Sequence, residues 1–173
     1  MRVLVTVASR HGATAEIGSA IGRVLAEAGH QVREAAPEDV ETLDDVDVVV
    51  LGSAVYTAHW LPAAREFGKR WQDELLARRV WVFSSGLATQ PAASANSPHE
   101  LMALRERIGA LGHRSFAGRL QRSELAFAER ALIAGARAKE GDHRDFEAVA
   151  TWAREIAGQL AAMPQPTGIT PAG

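Results

Sequence analysis

The feature that most constrains the fold of this chain is an alternation of short, continuously apolar segments with amphipathic helical segments. Three of the apolar segments are Val3-Leu4-Val5, Val48-Val49-Val50-Leu51 and Val80-Trp81-Val82-Phe83. Strands that are apolar on both faces are typical of a parallel sheet that is covered by helices on both sides. The alternation therefore predicts a doubly wound α/β domain with right-handed crossovers.

Periodicity and turn residues give the expected order of elements. We predict strands at residues 2–7, 30–35, 46–51, 79–84 and 114–117, and helices at residues 14–28, 61–77, 98–111, 123–139 and 141–162, with Asp142 capping the last helix. Five strands fit the order 2-1-3-4-5, in which ligands bind beyond the carboxyl ends of strands one and three. We expect one domain at residues 1–162 and a disordered tail at residues 163–173, which is rich in proline and glycine.

Composition removes several classes of function. A net charge of -2 gives no strong field for nucleic acid, and the lack of cysteine excludes disulfides, thiol catalysis and iron–sulfur clusters. The six histidines show no ligand spacing, so no metal site is expected. The first predicted strand begins at once, without a leader, which predicts a cytoplasmic protein.

The loop after the first strand has the composition of a phosphate site. It reads Ser9-Arg10-His11-Gly12-Ala13-Thr14 and leads into a helix N-terminus. Backbone N–H groups there lack partners, the helix dipole is positive, the hydroxyls of Ser9 and Thr14 add donors, and Gly12 allows a tight turn. The sequence predicts that this loop binds a phosphate monoester. The alternative is that Ser9 and Thr14 only cap the helix.

Other nucleotide motifs are missing from the sequence. No Gly-x-Gly-x-x-Gly follows the first strand, and no Gly-x-x-x-x-Gly-Lys-Ser/Thr is present. A mononucleotide is therefore favoured over NAD or ATP.

Two further loops are expected at the same sheet edge. The second, residues 52–60, contains the candidates Ser53, Ala54, Val55, Tyr56, His59 and Trp60, and the third contains Ser84, Ser85, Gly86 and Leu87. Tyr56 and Trp60 are candidates for stacking on a planar flavin ring, and residues 84–86 for contacts to its pyrimidine edge. The alternatives are that Trp60 packs under the following helix, that His59 is a cap, and that Gly86 is an ordinary turn.

Together these loops resemble the flavodoxin-domain family, and most closely its class of menaquinone-dependent protoporphyrinogen oxidases. Three local matches carry the resemblance. The first two are the Ser9–Thr14 loop and the pair His59-Trp60. The third is Phe116-Ala117-Gly118-Arg119-Leu120, which is followed by an extra helical stretch, then by Gly141-Asp142, and then by a helix that contains Trp152-Ala153-Arg154-Glu155-Ile156-Ala157. The resemblance implies a flavodoxin-like fold, FMN as cofactor, phosphate at residues 9–14, and ring contacts from the second and third loops.

The resemblance also implies activity: an FMN-dependent enzyme that passes electrons between a small or tetrapyrrole substrate and a quinone. The rivals are an electron carrier that docks on redox proteins, and a flavin-free regulatory module of the same fold. In the oxidases, the stretch corresponding to residues 120–141 is implicated in activity and membrane contact. Here it is less basic and less aromatic, and either peripheral contact with the inner membrane face or packing on the domain fits it.

Overall fold

The computed structural model describes residues 1–56, 59–86, 99–120 and 140–163. Its central sheet has five parallel strands, which are β1 (Arg2–Ala8), β2 (Gln31–Ala35), β3 (Val48–Tyr56), β5 (Arg79–Gly86) and β6 (Gly112–Ala117). They are ordered β2-β1-β3-β5-β6, so the predicted order 2-1-3-4-5 is confirmed. The short strand β4 (His59–Trp60) pairs antiparallel with the end of β3.

Helices cover both faces of the sheet. In the described residues the α-helices are α1 (Ala13–Glu27), α2 (Pro62–Arg70), α3 (Gln72–Leu76), α4 (His99–Arg107) and α5 (Phe146–Ala162). A separate ribbon pairs β7 (Arg119–Leu120) with β8 (Gly141–Asp142). None of these described helices is long and apolar enough to cross a membrane.

Side-chain alternation along the strands produces two hydrophobic cores. Val49 and Leu51 pack with α2 and α4 on one face, whereas Val48 and Val50 pack with α1 and α5 on the other. This double burial explains why β3 is apolar at successive positions rather than at every second one. On the α1 and α5 face, the rings of Phe83, Phe116 and Trp152 meet edge to face, at 5.7 to 6.2 Å between centroids.

The third strand is longer than predicted. Its strand structure continues to Tyr56, because Ser53 and Ala54 pair with β5 and the last two residues pair with β4. The fourth predicted strand is likewise extended, to Gly86. The residues expected in loops 52–60 and 84–86 therefore lie mostly on strands.

Two predicted helices differ in their bounds. The helix predicted at residues 61–77 is divided at Trp71, whose backbone leaves the helical region at φ −103° and ψ 22°. The apolar residues of this segment have the same helical spacing whether it forms one helix or two, so the sequence did not reveal the break. The prediction that Asp142 caps the last helix is wrong. Asp142 lies in β8, and the cap is Asp145, whose carboxylate accepts a hydrogen bond of 3.0 Å from the Ala148 N–H.

Some predictions lie outside the described residues. These are Leu87, the helix at residues 123–139 and nearly all of the tail at residues 163–173.

Candidate functional site

The sheet order creates a crevice at the carboxyl ends of β1 and β3. Ala8, the last residue of β1, lies opposite Ser53 of β3. The helix that follows β1 packs on one face of the sheet and the helix that follows β3 packs on the other. The two chain segments therefore diverge beyond Ala8, which is where ligands bind in folds of this kind.

The loop between β1 and α1 presents an uncapped helix N-terminus to this crevice. Gly12 is the N-cap residue, with φ 78° and ψ −22°, and no side chain caps the helix there. Ser9 and Thr14 thus do not serve as the helix cap, which was the alternative to phosphate binding. A non-glycine residue would be strained at the φ of Gly12, although a Cβ there would meet open space. The open side of Gly12 gives an anion room beside the first N–H groups of α1.

Arg10 and Tyr56 bring the first and second predicted site segments together. The Arg10 guanidinium lies 4.8 Å from the centroid of the Tyr56 ring, which is cation–π geometry. Arg10 is exposed and Tyr56 is partly buried. This pair places a cation and an aromatic face at the mouth of the crevice.

Trp60 does not lie where a stacking residue would be needed. It is only 2% exposed, it belongs to the core beneath α2, and its indole N–H donates a hydrogen bond of 2.9 Å to the Ser84 hydroxyl. The stacking prediction for Trp60 is therefore wrong, and packing under the following helix describes its position. Tyr56 stays a stacking candidate.

The serine side chains on β3 and β5 are also engaged within the protein. Ser53 is fully buried and its hydroxyl accepts the Leu61 N–H at 3.0 Å while donating to the Ala54 carbonyl at 2.8 Å. Ser84 is fully buried between Trp60 and His113. Neither hydroxyl is available to a flavin, because each is committed to a buried structural bond. At these positions, the backbone N–H and C=O groups rather than the side chains would contact a flavin ring.

His59 lies at the outer end of the β3–β4 ribbon. Its Nδ1 is 3.2 Å from Glu100, which also pairs with Arg65 at 3.2 Å. Hydrogen bonding to His59 lowers the pKa of the Glu100 carboxyl, with a smaller contribution from Arg65. The structure thus ties His59 to α4 rather than making it a cap of α2.

A cluster of two arginines and two carboxylates beside the phosphate loop was missed by sequence reasoning. Arg119 of β7 and Arg144, which follows β8, both bond to Glu16 in the first turn of α1. Arg144 also forms a bidentate pair with Asp142, at 2.8 and 2.6 Å. The Arg144 hydrogen bond lowers the pKa of Asp142 to about 2 and also lowers that of Glu16. No local pattern predicts the two contacts with Glu16, which join residues 103 and 128 positions apart.

Comparisons with known proteins identify the family. The family described as Flavodoxin domain matches residues 4–147. This chain belongs to the flavodoxin-domain family. FMN is the cofactor of that family, so the prediction of FMN is confirmed at the level of the family. A comparison with curated protein sequences found no match.

Solved structures support the same fold. A flavodoxin from the domain Archaea matches 93% of this chain and 99% of its own, with a TM-score of 0.60 and 14% identity. Oxidised Flavodoxin 2 from Bacillus cereus matches 92% of this chain and 99% of its own, with a TM-score of 0.60 and 19% identity. Rubredoxin oxygen:oxidoreductase from Desulfovibrio gigas matches 93% of this chain with a TM-score of 0.64 and 13% identity, and our chain spans only 36% of its length. At these identities the likeness concerns the fold.

The residues of this flavodoxin domain fit the phosphate end of FMN. The uncapped start of α1 and the hydroxyls of Ser9 and Thr14 supply hydrogen-bond donors, and the open space beside Gly12 gives a phosphate room to approach them. Residues 9–14 include no carboxylate that would repel it. Glu16, the acid of the first helical turn, is neutralised by Arg119 and Arg144. The donor set therefore suits a phosphate dianion.

Proposed function

We propose that this flavodoxin domain binds FMN with the phosphate in the loop at residues 9–14 and acts as a redox enzyme. The observation that carries the proposal is the glycine-started, uncapped helix α1 at the sheet's switch point. With the phosphate there, residues at the carboxyl ends of β3 and β5 would hold the flavin ring, and Tyr56 would be its aromatic neighbour. FMN, when bound, supplies the electron or hydride chemistry, and the protein orients it and shields it from water.

The phosphate position is tested by replacing both hydroxyl residues, in Ser9→Ala/Thr14→Ala. Each lost hydrogen bond to a charged group costs about 1.5–3 kcal/mol, so we expect FMN affinity to fall at least about 100-fold. The measurement is quenching of FMN fluorescence during titration of apoprotein. Thr151→Ala, at an exposed position of α5, is the matched control. Unchanged affinity in the double variant would contradict the placement, and tighter binding of FAD than of FMN would contradict the identity of the cofactor.

For the substrate, we propose a small or tetrapyrrole molecule that carries a carboxylate, with a quinone as electron acceptor. Arg10 is the residue that would hold the carboxylate, since it is an exposed cation at the mouth of the crevice and is oriented by the Tyr56 ring. The name of the Desulfovibrio gigas protein supports an enzymatic setting for such a domain. Protoporphyrinogen oxidation is the specific form of this proposal.

An electron carrier is the second candidate, and one observation favours it. The chain aligns with 99% of the length of flavodoxins such as those from Archaea and Bacillus cereus. A net charge of -2 argues against it, because it offers little electrostatic steering of a cationic partner. A flavin-free regulatory module is the third candidate, and the absorption spectrum of the purified protein tests it.

Turnover distinguishes the enzyme from the carrier. We expect FMN-loaded protein to oxidise protoporphyrinogen with menaquinone as acceptor, and Arg10→Ala to raise KM more than Arg10→Lys does. Arg154→Ala, which removes an exposed cation from α5, should leave KM unchanged. If no porphyrinogen or quinone is turned over but a flavodoxin reductase reduces the protein rapidly, the protein is an electron carrier.

We also propose peripheral membrane contact through residues 120–141. Flotation with anionic vesicles at low salt tests it, and a protein that does not float with the vesicles would remove that part of the proposal.

A further inference from the structure

Outside the crevice, the β7–β8 ribbon makes direct contact with the backbone of the phosphate loop. The Arg119 Nη2 donates to the His11 carbonyl at 3.4 Å, and the Arg144 Nη1 donates to the Ala13 carbonyl at 3.1 Å. These are the carbonyls on either side of Gly12. The residues that make the contacts come from a part of the chain that follows all five strands of the sheet.

The orientation of these two carbonyls decides what the loop offers to an anion. In a trans peptide the C=O and the N–H point in opposite directions. A His11 carbonyl that faces Arg119 therefore turns the Gly12 N–H away from the ribbon, and an Ala13 carbonyl that faces Arg144 does the same for the Thr14 N–H. The His11–Gly12 peptide lies outside the helix, where glycine alone would leave it free to rotate.

The cluster has the rigidity that such an orienting role requires. The Arg144 side chain is only 4% exposed and Arg119 is 18% exposed. Both guanidiniums also bond to the Glu16 carboxylate, at 2.7 and 3.1 Å, and Arg144 is fixed by its two bonds to Asp142. The charges of the two arginines and the two carboxylates cancel, so the cluster can fix the orientation of the loop but adds no net positive charge near it.

We propose that Arg119 and Arg144 are positioning residues that hold the Gly12 and Thr14 N–H groups towards the FMN phosphate. This inference rests on the proposed function, because it takes the phosphate to lie at residues 9–14. It assigns the β7–β8 ribbon a role in cofactor affinity that does not require the ribbon to touch FMN. It also explains why the acidic Glu16 is tolerated one turn from a phosphate: it anchors both arginines.

The test compares FMN with riboflavin, which lacks the phosphate. The variants are Arg119→Lys and Arg144→Lys, which keep the charge but lose the guanidinium fork that bonds two partners at once. We expect FMN affinity to fall about three- to ten-fold in each, with riboflavin affinity unchanged. Arg154→Lys, at an exposed ion pair on α5, is the control and should change neither.

A second readout uses the apoprotein and needs no ligand. Backbone ¹⁵N order parameters of Gly12 and Thr14, from NMR relaxation, should be lower in Arg119→Lys and Arg144→Lys, while those in β3 stay as in the wild type. FMN and riboflavin weakened in the same ratio, or FMN unaffected, would overturn the positioning role. If wild-type protein binds no FMN, the proposed function fails. In that case unchanged order parameters in the variants would overturn the inference as well, and lower ones would support the orientation of the loop.

Discussion

The buried chain Trp60–Ser84–His113 makes a prediction about stability and pH. The indole N–H of Trp60 can only donate, so the Ser84 oxygen must accept it, at 2.9 Å. Among the described residues, His113 Nε2, at 3.1 Å, is the acceptor available to the buried Ser84 proton, so the arrangement that satisfies this hydroxyl has Nε2 accepting and unprotonated. Satisfying both buried groups therefore favours neutral His113 with its proton on Nδ1.

The pKa of His113 agrees with this arrangement. Burial, with a smaller contribution from the Arg105 charge, lowers the pKa of His113 from its ordinary value of 6.5 to about 4. Between these values the unfolded chain binds a proton that the native protein does not, so the free energy of unfolding falls as pH drops from 6.5 to 4. The pKa difference corresponds to at most about 3 kcal/mol. Because the imidazole is only partly buried, solvent screening reduces this, and we expect about 1–2 kcal/mol.

The assay is urea unfolding of wild type and His113→Gln at pH 4, 5, 6 and 7, followed by tryptophan fluorescence. Glutamine can still accept the Ser84 hydrogen bond but does not titrate, so the difference between the two proteins isolates His113 from the other groups that titrate in this range. His30 is one of these, since burial and the N-terminal charge lower its pKa too. An equal loss of stability in both proteins, or an imidazole that titrates near 6.5 by NMR, would refute the reasoning.

Two further predictions concern packing and capping. In Gly52→Ala the new Cβ would clash with three ring atoms of the buried Phe83, so we expect the free energy of unfolding in urea to fall by about 1–3 kcal/mol. Gly158→Ala is the control and should be stabilising, because a Cβ there meets nothing and a helix interior favours alanine over glycine by about 0.5–1 kcal/mol. A stabilised Gly52→Ala would contradict the packing against Phe83. Asp145→Ala should lower the melting temperature, because about 1 kcal/mol of capping energy is lost, whereas Asp145→Asn should not. Equal melting temperatures for the two variants would argue against the cap.

The sequence alone predicted the five parallel strands and their order, most of the covering helices, and a candidate phosphate loop at residues 9–14. Each of these is a local property: continuous apolar segments reveal buried parallel strands, helical spacing reveals the covering helices, and the segment from Ser9 to Thr14 lies between the first strand and its helix. Strand ends were less well predicted. Strand β3 continues past residue 51 because β5 pairs with it as far as Ala54, and that pairing depends on another part of the chain. Its last two residues, Val55 and Tyr56, pair with β4.

The tertiary structure decided which side chains face the crevice. Trp60 and Ser84 were reasonable site candidates by position, yet a hydrogen bond across 24 residues holds both in the core. Arg119 and Arg144 reach the phosphate loop from 108 and 131 residues away. Periodicity and motif spacing describe only neighbours along the chain, whereas these contacts arise when the sheet brings distant segments to one edge. For that reason the sequence could indicate residues 9–14 as a candidate phosphate loop, and only the folded chain could show which distant residues contact it.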